Sequence, residues 1–306
     1  MGQPPARVLV VYKKSAYQLY LRERRDSRLA RLLRRRNPDA RDIRQAHAVH
    51  QATLKIVTGT LARFGVAYDA VYRAHLRTTA RHDLVISVGG DGTLLQASHL
   101  VADLPILGVN SDPRRSEAVF CAASRANFPG LLRQALTGRL PAARLSRLQV
   151  TLNGRRLWPL VLNDVLVTHD DPATMSRYRL AVGARRVRPG KRERRAGEDQ
   201  KSSGLWIATA AGSSSAILAA GGRRLPWTAK RFQYRPRELY RGRLSRCRLT
   251  GGVLPRGRTV SVTWLMREGA VFIDGPHVRY PLRFGDRLTV GLSARHPLRV
   301  LGLRRS

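Results

Sequence analysis

The chain has 306 residues, long for one hydrophobic core because cores stop growing efficiently near roughly 250 residues, so two domains are expected. Its 43% hydrophobic and 25% charged residues exclude a disordered or fibrous chain. With 57 Lys and Arg against 20 Asp and Glu the formal charge is +37, yet the basic residues are spread throughout and aromatics make up only 6%. That describes a solvated basic surface that draws in anionic substrates, with nucleic acid as a partner only through nonspecific attraction.

In chain order, the predicted elements begin with a β-branched strand at 8–12 and a helix at 18–36 closed by Asn37-Pro38. A second helix at 43–64 is stopped by Gly65, and strands follow at 66–72 and 83–88. The second of these runs directly into Gly89-Gly90-Asp91-Gly92-Thr93, after which a helix from 93 to about 100 and a strand at 105–109 are expected. Strands alternating with helices predict a parallel sheet with right-handed crossovers and ligands at the carboxyl ends of its strands. Residues 1–120 therefore read as a Rossmann-like α/β domain.

Beyond that the texture changes to short strand-like runs at 146–152, 160–167, 177–182, 205–209, 259–264, 271–273, 287–292 and 298–301, separated by Gly, Pro and Asn. Residues 121–306 are expected to form a mostly β, sandwich-like domain whose last residues could return to the first. Residues 185–201 hold eight Lys or Arg among seventeen, without apolar period, and read as a mobile basic loop. Cys121 and Cys247 stand far apart with no CxxC, no His pair has metal-ligand spacing, and no run of about 18 apolar residues occurs. No apolar leader follows Met1. A cytoplasmic protein without disulfides, zinc or membrane contact is expected.

The loop at 89–93 joins a strand to a helix, so its glycines let backbone amides approach a phosphate at the helix N-terminus. It lacks the Gly-Lys-Ser/Thr of a Walker A loop and the spacing of a dinucleotide fingerprint. An aspartate inside such a cradle suits accepting a proton from an attacking hydroxyl or holding magnesium; capping the following helix is the structural alternative. Thr209 to Ser215 forms a second hydroxyl-rich loop between a strand and a short helix at 216–220, suited to a phosphate or ribose, or to simple capping. Asn163-Asp164 follows an apolar run and either ends it or meets adenine and ribose hydroxyls.

Together these segments resemble the NAD kinase family. The GGDGT signature alone is shared with diacylglycerol and sphingosine kinases, but Asn163-Asp164 and the stretch GLWIATAAGSSSAILAAGG at 204–222 narrow the likeness to NAD kinases. Gly108-Val109-Asn110-Ser111-Asp112-Pro113, Ser176-Arg177 and Thr209-Ala210-Ala211-Gly212-Ser213 resemble the plant-type NADH kinase branch, and the resemblance covers about residues 83–230. It implies a kinase that moves the terminal phosphate of ATP to the 2'-hydroxyl of the adenosine ribose of NAD or NADH. Asp91 is then the general base. Gly89, Gly90, Gly92, Thr93 and Asn110 bind the phosphates of ATP, and Asn163, Asp164, Thr209, Gly212, Ser213 and Ser214 hold NAD. Arg177 adds positive charge, and Ser203 stands where the family often has Asp. Further departures are Ala210 and Arg223 in place of Pro and Ile217 in place of Tyr, all on the nicotinamide side. The resemblance also implies Mg2+ arriving with ATP rather than in a protein cage, and a homo-oligomer. Competing expectations are a lipid kinase drawn to acidic membranes, and a non-catalytic nucleotide- or nucleic-acid-binding protein of the same fold.

Overall fold

A computed structural model describes residues 7–35, 37–184, 197–243 and 247–303. It divides into two compact units, one running to Ala143 and regained at Arg299, the other spanning Arg144–Leu298.

In the first unit β1 (Arg7–Tyr12), β2 (Ala67–Tyr72), β3 (Leu84–Gly89) and β4 (Pro105–Asn110) are mutually parallel in the order β2-β1-β3-β4. Val8 to Val11 and all of β3 are buried, as parallel strands covered on both faces require. The chain goes from β1 to one side for β2 and to the other for β3, so the topological switch point lies between β1 and β3. Helix α1 (Ser27–Arg34) precedes α2 (Pro38–Arg63), which lays His50, Thr53, Val57, Thr60 and Leu61 on the core at helical spacing. Residues 18–36 are not one helix. A π-turn at Tyr17–Glu23 ends before Arg25, which takes φ 53°, and Asp26 then caps α1 by accepting from the Leu29 amide at 2.9 Å.

Helix α3 (Asp91–Ser98) follows β3. The first unit extends past residue 120 because β5 (Ala123–Ser124) pairs with β4 and α4 (Phe128–Leu136) buries Phe128 and Leu132 in the same core. The boundary falls inside β6 (Ala142–Leu145).

The second unit contains β7 (Leu148–Leu152), β8 (Arg155–Arg156), β9 (Asp164–Thr168), β10 (Ser176–Ala184), β11 (Glu198–Ser202), β12 (Leu205–Thr209), β13 (Arg231–Pro236), β14 (Gly252–Pro255), β15 (Arg258–Trp264), β16 (Gly269–Ile273), β17 (Val278–Leu282) and β18 (Arg287–Leu292), with α5 (Ala216–Ala219) after β12. Among the described residues they form two antiparallel sheets, β11-β10-β15-β18-β7-β8 and β14-β13-β12-β9-β16-β17. Alternate residues such as Tyr178, Leu180, Val260, Val262 and Trp264 from one sheet and Val165, Val167, Leu205, Ile207 and Phe232 from the other share a single core. That is a β-sandwich.

One expectation changes here. Residues 198–202 form β11, paired antiparallel with β10, so they are not loop; residues 185–196 of the expected basic loop lie outside the described residues. The last strand returns to the first unit: β19 (Leu298–Leu301) pairs parallel with β4, between β4 and β6.

Candidate functional site

In the first unit the functional residues gather at the switch point. Gly89, the last residue of β3, faces Asn110 across the sheet, and its carbonyl accepts from the Ser111 amide at 2.8 Å. A side chain at Gly89 would run into the Thr93 hydroxyl, and a Cβ at Gly90 would come within 2.8 Å of Ser116 Oγ. Gly89 needs glycine because it packs directly against the β-branched side chain of Thr93, whereas Ser116 Oγ beside Gly90 can rotate. Asn110 pins the neighbouring turn: its Nδ2 donates to the Ser116 carbonyl at 2.8 Å and its Oδ1 accepts from the Asp112 amide at 3.0 Å.

Asp91 opens α3, and its two carboxylate oxygens each accept one backbone N–H, from Val119 and Phe120, both at 2.9 Å. Burial raises its pKa above the ordinary value and nearby Glu117 adds to this, opposed by the Phe120 and Val119 amides. The result is a carboxylate with fixed orientation, enhanced basicity and unused lone pairs. Burial, with the charge of Asp91, pushes the neighbouring Cys121 thiol up to about 12 and keeps it protonated and unreactive.

In the second unit Asn163-Asp164 leads into β9, and the 209–215 loop leaves β12 beside it. The Thr209 hydroxyl donates to the Leu162 carbonyl at 2.6 Å and accepts from the Gly212 amide at 2.9 Å. Gly212 then lies so close to the Asn163 carbonyl that a Cβ has no room. Asp164, 5% exposed, accepts from Asn163 Nδ2 and from Ser215 Oγ, each at 2.9 Å. Its carboxyl is pushed up to about 7, first by burial and then by the charge of Asp274, with the Ser215 bond opposing. Asn163 is half-buried, and one N–H of its side-chain amide is used in the bond to Asp164.

Sequence reasoning missed Asp274, which organises this second site. It sits just past β16 at φ 49°, and its carboxylate accepts from the amides of Leu162, Asn163 and Asp164 at 2.9, 2.7 and 3.1 Å. In sequence Asp274-Gly275 is an ordinary turn signal. Only the pairing of β16 with β9 reveals its partners. Ser215, named only as the edge of a loop, proves to be a direct partner of Asp164.

The remaining predicted residues separate. Ser213 is buried with its hydroxyl accepting from the Leu225 amide at 2.8 Å, so it anchors the segment after α5. Ser214 is half-buried beside it. Ser203 lies at the opposite end of β12 from Thr209, where its amide donates to the Arg237 carbonyl and its carbonyl accepts from the Thr168 hydroxyl. Arg177 is on β10 in the other sheet, lining a hollow with His169, Met266 and Phe284 that none of the Asn163–Gly212 group reaches.

Residues 7–139 match the ATP-NAD kinase N-terminal domain family. The chain is 38% identical over 263 residues to a "Probable NADH kinase" of Oryza sativa subsp. japonica, covering 80% of this chain and 79% of that protein. The chain belongs to the NAD kinase family. An "NADH kinase" of Arabidopsis thaliana, 32% identical over 269 residues and covering 80% and 81% of the two chains, points with it to the plant-type NADH kinase branch. A crystal structure of an NAD kinase from Archaeoglobus fulgidus in complex with ATP has the same fold, with a TM-score of 0.64 at 21% identity over 96% of this chain and 92% of that one. The protein is thus an NAD(H) kinase, a phosphotransferase whose acceptor is a hydroxyl group, and the lipid-kinase and nucleic-acid readings are not favoured. No helix among the described residues is long and apolar enough to cross a membrane.

Proposed function

We propose that this NAD(H) kinase takes the terminal phosphate of ATP and places it on the 2'-hydroxyl of the adenosine ribose of NAD or NADH, with Asp91 as the general base. The observation that carries this reading is the glycine loop at the switch point with a carboxylate fixed inside it by two backbone amides. Gly89, Gly90 and Gly92 present main-chain amides to the donor's phosphates, with Thr93 beside them and Asn110 holding the flanking turn in register.

As the ribose oxygen bonds to the terminal phosphorus and the bond to ADP breaks, the hydroxyl proton passes to an Asp91 oxygen. Phosphoryl transfer has a loose transition state, so alignment and charge neutralisation weigh more than base strength. Asp91 serves alignment because it cannot rotate without breaking two hydrogen bonds. Magnesium fits this arrangement as an ion carried on the donor's phosphates, since it is usually held by one or two carboxylates plus phosphate oxygens, and Asp91 is the carboxylate at the cradle. It would supply neutralisation of the transferring phosphate.

The dinucleotide is held by Asn163 and Asp164 through adenine and ribose hydroxyls, with Thr209 and Gly212 setting their geometry and Ser213 and Ser214 supporting the loop. Working as a homo-oligomer in the cytoplasm completes the proposal; the free cysteines Cys121 and Cys247 suit a reducing compartment.

The test is NADP(H) formation by purified protein with ATP and magnesium, offering NAD and NADH separately, with diacylglycerol as a control acceptor and Asp91→Asn beside the wild type. Formation of NADP or NADPH that collapses in Asp91→Asn supports the reading, whereas phosphorylated diacylglycerol in place of NADP(H) overturns it. Light scattering on the same sample reports the oligomer.

A further inference from the structure

The carboxyl edge of the first sheet carries two cations that neither the glycine signature nor the proposed base accounts for. Tyr72 of β2 pairs with Tyr12 of β1, and Tyr12 pairs with Val88 of β3. Immediately past these strand ends come Arg73, which opens a short 3-10 turn, and Lys13, beside Gly89 and Asn110 at the ends of β3 and β4. The Lys13 amide donates to the Val88 carbonyl at 3.3 Å, and the Lys13 carbonyl is held at 2.7 Å by Nε2 of His50, itself 1% exposed. Lys13 is thereby fixed beside the glycine loop at the switch point. Arg73 also comes close to the loop, with Nη1 3.6 Å from where a Cβ of Gly92 would stand.

Both side chains are half-buried, and among the described residues neither has a hydrogen-bonded or ion-paired partner. Burial holds the Lys13 ammonium below the usual lysine range, and the Arg73 charge adds to this against the opposing pull of Asp112. The neighbouring lysine differs, for Lys14 is paired with Glu23 at 2.7 Å and lies over the Tyr72 ring. Two half-buried cations placed close together, where the nearby Asp112 is already ion-paired with Arg115, are unfavourable unless an anion joins them. The same end of the sheet holds two buried hydroxyls with no hydrogen-bond partner among the described residues, Thr93 Oγ1 and Ser111 Oγ, of which the Thr93 hydroxyl stands directly against Gly89.

We propose that Lys13 and Arg73 form the cationic wall of the donor site, binding the phosphate oxygens of the nucleoside triphosphate and neutralising the charge that builds on the departing diphosphate. The glycine loop supplies amides on one side of the phosphate chain; these two residues supply full positive charge on the other. Lys13 acts as a point charge, while Arg73 offers a planar fork suited to two oxygens at once. This rests on the kinase reading for the identity of the donor, but the wall itself requires only a polyphosphate.

The experiment uses the full chain and the variants Lys13→Met, Lys13→Arg, Arg73→Gln and, as a control, Lys14→Met, each checked for an unchanged melting temperature. Calorimetry measures binding of inorganic tripolyphosphate, and steady-state kinetics measures KM for ATP and for NADH. Lys13→Met and Arg73→Gln are each expected to weaken tripolyphosphate binding and raise KM for ATP about tenfold, the loss of one charge-assisted contact. KM for NADH should stay within about twofold, Lys13→Arg should recover part of the loss, and Lys14→Met should match the wild type. Tripolyphosphate binding and ATP KM that are indifferent to both Lys13→Met and Arg73→Gln, in folded protein that still makes NADP(H), would overturn the proposal and leave the kinase reading intact. Binding that depends on both residues, in a protein that makes no NADP(H), would sustain the wall and overturn the kinase reading.

Discussion

The two units each place a carboxylate at a strand end and control it by different means. Asp91 is held by main-chain amides from the segment between β4 and β5, whereas Asp164 is held by side chains, Asn163 and Ser215, and lies near a second carboxylate, Asp274. The first arrangement stiffens a single charged group and leaves it able to take a proton. The second raises a carboxyl to where it titrates near neutrality, so it can act as donor or acceptor toward a ligand's hydroxyls. A site made of backbone is a rigid cradle for charge, and one made of side chains is a reader of hydroxyl groups.

The sharpest way to break this comparison is Asp91→Asn. If Asp91 is the base, kcat should fall about a hundred- to ten-thousandfold while KM for NADH changes little. A fall in thermal stability with kcat nearly preserved would reduce Asp91 to a loop anchor. Next in size is Asp274→Ala, which deprives three consecutive amides of their acceptor. Water will satisfy part of that demand at a half-exposed residue, so urea unfolding should show a loss of about 2 kcal/mol, with KM for NADH raised. A change within experimental error would mean that β9 and β12 alone set the geometry of Asn163.

Gly212→Ala forces a methyl into the Asn163 carbonyl. The expected cost is about 1–2 kcal/mol of stability, together with weaker NADH binding measured by fluorescence. ATP KM should not move, since the change lies in the other unit.

The last test concerns pH. The Asp164 carboxyl titrates at about 7 in the folded protein against 3.8 as its ordinary value. Between those values the folded state keeps a proton that the unfolded state has released, so stability should fall as pH rises from about 4 to about 7 and then level off. Asp164→Asn should flatten that slope, and a slope identical to wild type would place the titration elsewhere.

Much of the first site was legible in sequence because main-chain geometry restricts residue type. Gly89 must lack a side chain where Thr93 closes in, and that requirement is part of what is written as GGDGT. The strand at 8–12 and the helix at 43–64 were legible as apolar patterns of distinct period, as were most sandwich strands. Residues 18–36 misled because their Leu and Arg spacing is helical throughout, while the break depends on a left-handed Arg25 and the cap at Asp26. Asp274 was invisible for a different reason. Its three partners lie 110 to 112 positions earlier, and no local pattern marks an aspartate that will meet them.

Sequence alone determined the change from an α/β to a β region, the glycine cradle with its aspartate, and the family resemblance, because each of these rests on short-range demands that only a few residue types satisfy. Tertiary structure decided which side chains share a site. It returned β19 to the first sheet, separated Arg177 and Ser203 from Asn163, brought Asp274 beneath Asp164, and aligned Arg73 and Lys13 with the cradle. Those relations follow from strand pairing between distant segments, and strand register is a property of the packed sheet that no single segment carries.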